Sequence, residues 1–144
     1  MKIHQVRGWN KNQDYLPVEF IAHMPIPATM TLSLPSHLTH LRSNTFVENS
    51  LYGSIIFPAS ITKFETGTFN EFGGTSSATS ESSYMRFLHA ETDAVELPAS
   101  GLFYTKSATY LNIETDNPII KNYNYAADNV VPTFYHLDGS LWED

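Results

Sequence analysis

Cysteine is absent from this chain of 144 residues, which excludes a disulfide framework and a thiolate metal site. Charge is also scarce, because 16% of the residues are charged against roughly 25% in a typical domain. The eight lysines and arginines are scattered singly and the net charge is −7. No basic stripe could neutralise phosphates, so we expect neither nucleic acid nor an anionic membrane surface as a partner.

Long hydrophobic runs are missing as well. No segment has the length and apolarity of a bilayer span, and the N-terminal MKIHQVRGWNKNQDY lacks a stretch of signal-peptide type. We therefore expect a protein that is made in a cytoplasm and stays soluble. Helical patterning is weak too, since eight prolines are spread along the chain and no helical apolar stripe exceeds about ten residues.

Short strand-like segments, by contrast, are abundant. They are rich in β-branched and aromatic residues and are bounded by Pro, Gly, Asn or Asp, which is typical of strands. The predicted strands are residues 18–23, 30–34, 54–57, 85–89, 94–97, 108–113, 133–137 and 140–142. The dipeptide Asp138-Gly139 joins the last two strands and is a strong hairpin signal.

One pattern occurs twice, as LSLPSHLTHLRSNTF at 32–46 and again as IIFPASITKFETGTF at 55–69. Self-similarity at a period of about 20–30 residues is typical of solenoids, in which each unit buries its apolar face against the next. The identical pairs are Pro35/Pro58, Thr39/Thr62, Thr45/Thr68 and Phe46/Phe69. A degenerate third unit is expected from Val95, with Gly101 at an apolar position and Tyr110 just beyond the phenylalanine position.

The pattern also predicts which side chains face the core. Alternation on a short strand, a proline that ends the strand and apolar residues in the returning turn together define the inward positions. These are Leu32, Leu34, Leu38, Leu41 and Phe46 in the first copy, and Ile55, Phe57, Ile61, Phe64 and Phe69 in the second.

The repeat resembles the BspA-like leucine-rich repeats of bacterial surface proteins. It departs from them where Leu41-Arg42 and Phe64-Glu65 replace the usual Ile-Gly step. The resemblance implies a non-enzymatic recognition module, often one used in adhesion. It also implies a partner-contact strip of outward strand positions, namely Thr31, Ser33, Ser54, Ile56 and Glu96. The alternative is chance similarity between two segments of an ordinary β-sandwich.

The fold class that we predict is therefore mainly β. We expect a single small domain of short strands, either a short leucine-rich-repeat-like β-solenoid or a β-sandwich, with a C-terminal hairpin. Within residues 1–144 we expect a repeat-like core at 30–72, a flexible Ser/Thr-rich loop at 73–83 and a C-terminal β region at 84–144.

No pattern in the sequence indicates catalysis or metal binding. His37 and His40 are predicted to lie on the solvent side of the repeat, and a metal site needs three or four converging ligands. The acidic residues Glu91, Asp93 and Glu96 lack the calcium-loop signature and are interpreted as a solvated edge. Since nucleophile-elbow and phosphate-loop motifs are also absent, we predict no catalytic residue, no metal, no cofactor and no enzymatic activity.

The leading hypothesis is an accessory structural protein of a virion, such as a capsid decoration or a tail component. Sparse charge and 13% aromatic residues suit lasting protein–protein contacts. The expected partners are other protein subunits, either further copies of the chain or a major structural protein, in a homo-oligomer or larger assembly. The alternative is a leucine-rich-repeat-like adhesion or binding module at a cell surface. A glycan-binding protein is a third possibility, because aromatic rings stack on sugars; the candidate rings are Tyr104, Tyr110, Tyr123, Tyr125, Phe134, Tyr135 and Trp142.

Overall fold

The structure is a computed structural model that describes residues 2–5, 15–16, 20, 23, 25–27, 30–72 and 84–143. These residues contain short strands, one α-helix and one 3-10 helix. The strands are β1 (Lys2–Gln5), β2 (Pro25–Ile26), β3 (Met30–Ser33), β4 (His40–Leu41), β5 (Ser50–Leu51), β6 (Ser54–Phe57), β7 (Lys63–Phe64), β8 (Tyr84–Phe87), β9 (Thr109–Glu114) and β10 (Val130–Tyr135). The helix α1 spans Pro118–Lys121 and the 3-10 helix Tyr125–Asp128.

The main sheet contains β1, β3, β6, β8, β9 and β10 in that order, and every neighbouring pair is parallel. From β3 onward, one line of register partners crosses the sheet at unequal spacing along the chain: Thr31, Ser54, Tyr84, Asn112 and Thr133. Each strand therefore pairs with the next strand of this sheet along the chain, with a connection of variable length between them.

Two smaller parallel sheets lie in these connections. One pairs β2 with β5, and the other pairs β4 with β7. Single parallel bridges extend the second of these to Tyr15 on one side and Glu96 on the other. Buried residues of all three sheets belong to one hydrophobic cluster, so the protein is a mainly β, single small domain with parallel sheets.

The predicted core positions are confirmed. All ten inward residues of the two repeat copies are buried, and none exposes more than 5% of its surface. Phenylalanines of successive turns are in contact: the rings of Phe46 and Phe69 stack with centroids 5.7 Å apart, and Phe69 stacks on Phe103 at 5.2 Å. A second pair, Phe57 and Phe87, stacks at 4.6 Å. Ring pairs of this kind add to the stability that the burial of each ring provides.

Phe46, Phe69 and Phe103 form what we name the phenylalanine column, and a left-handed turn precedes each of them. Asn44, Gly67 and Gly101 have φ values of 61°, 77° and 84°. They follow one another in register, since Asn44 N donates to Gly67 O and Gly67 N donates to Gly101 O. Glycine and asparagine adopt this conformation most readily, which accounts for the residue types at the three positions.

The predicted third unit is wrong in its position. The strand that continues Ile55 and Phe57 is β8, through Met85 and Phe87, and not the segment that begins at Val95. The Val95 segment instead lies beside β7, where Lys63 bridges to Glu96. Gly101 continues the turn of Gly67, and Phe103 rather than Tyr110 continues the phenylalanine column.

In the region expected to be a C-terminal β region, β8, β9 and β10 continue the sheet that begins in the repeat-like core. Predicted strands 30–34, 54–57, 85–89 and 108–113 are confirmed, with small shifts at their ends. Segment 94–97 contributes a single bridge at Glu96. The predicted loop 73–83 and most of the predicted strand 18–23 lie outside the described residues.

The C-terminal hairpin is confirmed, with Tyr135 bridged antiparallel to Leu141 and Gly139 at φ 92°. A single turn of helix, which the sequence did not lead us to expect, precedes the hairpin. Asn117 caps this helix, because its side-chain oxygen accepts hydrogen bonds from Ile119 N and Ile120 N, and Pro118 occupies the first turn. Asn before Pro is a recognised helix-start signal.

Candidate interaction surface

The outer face of the main sheet carries two rows of side chains in register. We name them outer row 1, which contains Thr31, Ser54, Tyr84, Asn112 and Thr133, and outer row 2, which contains Ser33, Ile56, Arg86, Glu114 and Tyr135. They point away from the core because they alternate with Leu32, Ile55, Met85 and Ile113, which are buried. Beside row 1, Tyr110 and Val131 form a further pair and are 45% and 46% exposed.

Two members of the predicted contact strip are not accessible. Thr31 is 3% exposed and Ser54 is 1% exposed, and their hydroxyl oxygens are hydrogen-bonded to each other at 3.2 Å. Alternation places both side chains on the outer face. However, short hydroxyl side chains expose little surface when a tyrosine lies beside them in register, and Tyr84 is the register partner of Ser54. The expectation that they contact a partner is therefore wrong.

Two other members of the strip do lie together. Ser33 and Ile56 are register partners in outer row 2, and both are half-buried. They belong to the two repeat copies and form one end of that row. The structure thus keeps this part of the predicted strip as an accessible surface.

The fifth member, Glu96, lies elsewhere. It bridges to Lys63 of β7, and its carboxylate pairs with the Lys63 ammonium at 3.3 Å. Both side chains are more than half exposed, so this ion pair stabilises the fold very little. Glu96 is separated from the other four because the third unit begins at β8 and not at Val95.

Outer row 2 contains an ion pair that we did not predict from the sequence. Arg86 donates to Glu114 at 2.6 Å and to the carbonyl of Leu137 at 3.2 Å. The two side chains are 29% and 20% exposed, so dissolved salt screens this ion pair less than it screens an ion pair at the surface. Alternation places Arg86 and Glu114 on outward positions of their strands. Their juxtaposition could not be found, because it depends on a register between β8 and β9 that no repeat in the sequence shows.

Next to this face, the C-terminal hairpin assembles a polar and aromatic cluster. The rings of His136 and Trp142 stack at 4.2 Å, and Trp142 donates through its indole nitrogen to the carbonyl of Thr115 at 2.9 Å. The Asp116 carboxylate accepts hydrogen bonds from the His136 ring and from Leu137 N, at 3.0 and 3.1 Å. These contacts attach the hairpin to the end of the sheet.

The fold also buries one carboxylate. Asp128 is 2% exposed and accepts hydrogen bonds from Gly101 N at 2.7 Å, Phe103 N at 3.2 Å and the Tyr123 hydroxyl at 2.6 Å. Burial, together with this hydrogen bond to Asp128, raises the pKa of Tyr123. Burial also raises the pKa of Tyr125, whose hydroxyl donates to Ile120 O. Since Asp128 is fully engaged by backbone and tyrosine donors, its role is structural.

A buried histidine lies inside the core. His89 has no exposed surface, and its Nε2 donates to the carbonyl of Ile61 at 2.6 Å. Its ring lies among the rings of Phe64 and Phe87, and its Nδ1 has no hydrogen-bond partner. Burial lowers the pKa of His89, against the opposing effects of the Ile61 carbonyl and the Asp93 charge. His89 is therefore neutral at neutral pH.

The acidic and histidine residues considered for metal binding are dispersed. Asp93 accepts a hydrogen bond from Ala90 N within its own turn, and Glu96 pairs with Lys63. His40 packs against the ring of Tyr15, and His23 pairs with Glu48. Across the described segments, no three His, Cys, Asp or Glu side chains come together in a way that could hold a metal ion.

An open cleft of about 330 Å³ lies beside β5, and two carboxylates line it. Each carboxylate has a close partner at 3.0 Å: Glu48 the ring of His23, and Glu71 the ammonium of Lys106. The hydrogen bond from His23 lowers the pKa of Glu48, and the hydrogen bond to Glu71 raises the pKa of Lys106. The Glu48 carboxylate is thus held in its charged form, which suits a solvated cleft wall.

The candidate sugar-stacking rings are divided between core and surface. Tyr125 is buried, and Phe134 packs edge-on against it at 5.5 Å. Tyr104 and Tyr110 are the most exposed of the set, at 54% and 45%. Tyr110 and Tyr135 belong to the outer face, whereas Trp142 is engaged with His136.

Comparison with known proteins returned no match: no protein family fits the chain, and neither a curated protein nor a solved structure is significantly similar to it. Among the described residues, no helix has the length and apolarity needed to cross a membrane.

Proposed function

We propose that the chain is a short leucine-rich-repeat-like β-solenoid that works as a non-enzymatic contact module. The main support is that residues one repeat apart are neighbours in several parts of the molecule. Ile55 pairs with Leu32, Phe64 with Leu41 and Phe69 stacks on Phe46. This arrangement is the one expected when successive turns of chain pack on one another.

The outer face of the main sheet is the contact surface in this proposal. Its exposed groups are mainly uncharged and include tyrosines, and the charges of Arg86 and Glu114 are paired with each other. Interfaces are depleted in unpaired charge and enriched in tyrosine, so this surface is suited to protein contact. Tyr110 and Val131 provide its most exposed apolar area.

The partner that we propose is another protein subunit of a virion, either a major structural protein or further copies of this chain. The chain would act there as a capsid decoration or a tail component. Support for this step comes from composition: sparse charge and many aromatic residues suit a subunit that remains in permanent contact with others. The repeat favours a second candidate, an adhesion module at a cell surface.

Fractionation of the culture that produces the protein tests both candidates. Particles, cell envelopes and the remaining extract are separated on a density gradient, and the chain is quantified in each by mass spectrometry. The proposal predicts that the chain co-sediments with particles in a fixed ratio to their main protein. Recovery in the envelope fraction would favour the adhesion module. Recovery in the extract alone, as a free monomer, would contradict both.

A further inference from the structure

Among the described residues, the last strand of the main sheet, β10, has β9 on one side and no further strand of this sheet on the other. We name this second side the free edge, and its direction can be read from the hydrogen bonds of β10. Asn129 O and Tyr135 O accept bonds from Thr109 N and Thr115 N, both at 2.8 Å. Alternate residues of a strand direct their backbone groups to opposite sides. The backbone groups of the odd-numbered residues therefore point toward β9. Those of the even-numbered residues from 130 to 136 point toward the free edge.

Two features limit strand pairing at this edge. The first is the C-terminal cap, which we define as residues 137–142. His136 N donates to Ser140 O at 2.7 Å, and Trp142 N donates to Phe134 O at 3.1 Å, so the cap pairs with the last part of β10. The second is Pro132, which is one of the edge-facing residues and has no N–H group to offer.

The cap is held by polar contacts at its two ends and by the stacking of Trp142 on the ring of His136 at 4.2 Å. Leu137 is bound through its carbonyl to Arg86 and through its N–H to Asp116, and Trp142 is bound through its indole to Thr115. Leu141 between them is 58% exposed. A segment with few buried apolar contacts opens locally at a smaller free-energy difference than the core does.

We propose that the C-terminal cap is an autoinhibitory segment, and that its release exposes β10 as a site for strand addition by a second copy of the chain. A second copy fits this edge because it can continue the same sheet. At the opposite end of the sheet, β1 pairs with β3 alone among the described strands, and all pairs in the sheet are parallel. Head-to-tail addition of this kind produces a ring or a filament larger than a dimer, and it increases with protein concentration.

This inference concerns the purified chain alone and does not depend on the proposed function. Failure of the density-gradient experiment would leave it intact, and its own failure would leave the outer face available as a contact surface.

The test uses one polypeptide in two redox states. Tyr135 and Leu141 form a non-hydrogen-bonded antiparallel pair, whose short Cα separation suits a disulfide, and the chain has no other cysteine. The variant combines Y135C and L141C with W142A, which weakens the cap, and it keeps Pro132 because the proposal requires release of the cap alone. Oxidation locks the cap in place, and reduction releases it.

Sedimentation velocity measures the result over a hundredfold range of protein concentration. We expect the reduced variant to sediment faster as its concentration rises, with species larger than a dimer. The oxidised variant should keep the mass of the unmodified chain at every concentration. Circular dichroism checks that both forms are folded. If the two forms are folded and sediment identically, the proposal is overturned.

A second measurement uses the unmodified chain and does not depend on the variant folding. Native-state hydrogen exchange compares the amides of His136 and Trp142 with that of Ile113 in the core. A releasable cap exchanges its amides by local opening, at least tenfold faster than Ile113. If His136 and Trp142 exchange only as slowly as Ile113, the cap does not open separately and the proposal is overturned.

Discussion

Phe46 and Phe69 lie face to face in the core, with ring centroids 5.7 Å apart and ring planes inclined by 18°. They occupy the same position in the two repeat copies, and Phe103 extends the column by one more ring at 5.2 Å. Each ring therefore packs on its neighbour in the adjacent turn. Phe69, in the middle, contacts both neighbours and has no exposed surface.

Phe69→Ala should consequently be among the most destabilising single substitutions in the chain. Loss of a fully buried phenylalanine leaves a cavity and typically lowers the free energy of unfolding by about 3–5 kcal/mol. Phe69→Leu keeps most of the volume and should lower it by about 1–2 kcal/mol. Urea denaturation measures both values. Tyr110→Ala, on the exposed outer face, serves as the control and should change the free energy of unfolding by no more than about 0.5 kcal/mol.

The buried His89 should make the protein less stable in mild acid. Its pKa is lowered in the folded state from about 6.5 in the unfolded state, because burial disfavours the charged ring. Between the two pKa values the unfolded chain binds the proton and the folded chain does not. The free energy of unfolding therefore falls as the pH drops below about 6.5, at up to about 1.4 kcal/mol per pH unit from this group.

His89→Gln isolates this contribution, since glutamine can donate to Ile61 O but does not titrate. Denaturation curves of both proteins at pH 7.5, 6.5, 5.5 and 4.5 give the two slopes. We expect the unmodified chain to lose stability more steeply than the variant below pH 6.5. Parallel slopes over this range would show that His89 is not protonated on unfolding and would contradict the assignment.

Asp128 should hold the segment of Gly101 and Phe103 in its conformation. Its carboxylate accepts two backbone hydrogen bonds and one from Tyr123. Asp128→Asn preserves the shape but turns an NH₂ group toward these donors, so we expect a loss of about 1–3 kcal/mol in the free energy of unfolding. Glu91→Gln removes a charge from an exposed side chain and should change it by less than about 0.5 kcal/mol. Equal effects of the two substitutions in urea denaturation would refute the structural role of Asp128.

The structure could be predicted from the sequence where the period of the repeat is regular. Between the two copies, the pairing of Leu32 with Ile55 coincides with the visible repeat, so the ten inward positions of the two copies could be predicted individually. The strand Ser54–Phe57 was also predicted with its bounds. In this part of the chain, alternation, proline positions and the repeat all indicate the same structure.

Beyond the second copy, the connections vary in length and the sequence period is lost. The spacing between register partners changes at every further step across the sheet, so Val95 was assigned to the strand position that Met85 occupies. For this reason Glu96 lies apart from the other residues of the predicted contact strip. Thr31 and Ser54 were expected to be exposed but are buried, because alternation predicts the face on which a side chain lies and not its exposed area. Very short strands such as β4 and β7 carry no periodic signal.

The central claim is that the outer face of the main sheet binds the partner, and paired surface variants test it most directly. Val131→Asp places a charge on this face, and Ile119→Asp places one on the helix α1; the two positions are 46% and 42% exposed. Each variant replaces the native chain in the producing culture, and its particle-bound fraction is measured on the density gradient. The account predicts at least a tenfold loss of bound chain for Val131→Asp and no change for Ile119→Asp, with both variants folded. Retention of Val131→Asp at the native level would contradict it.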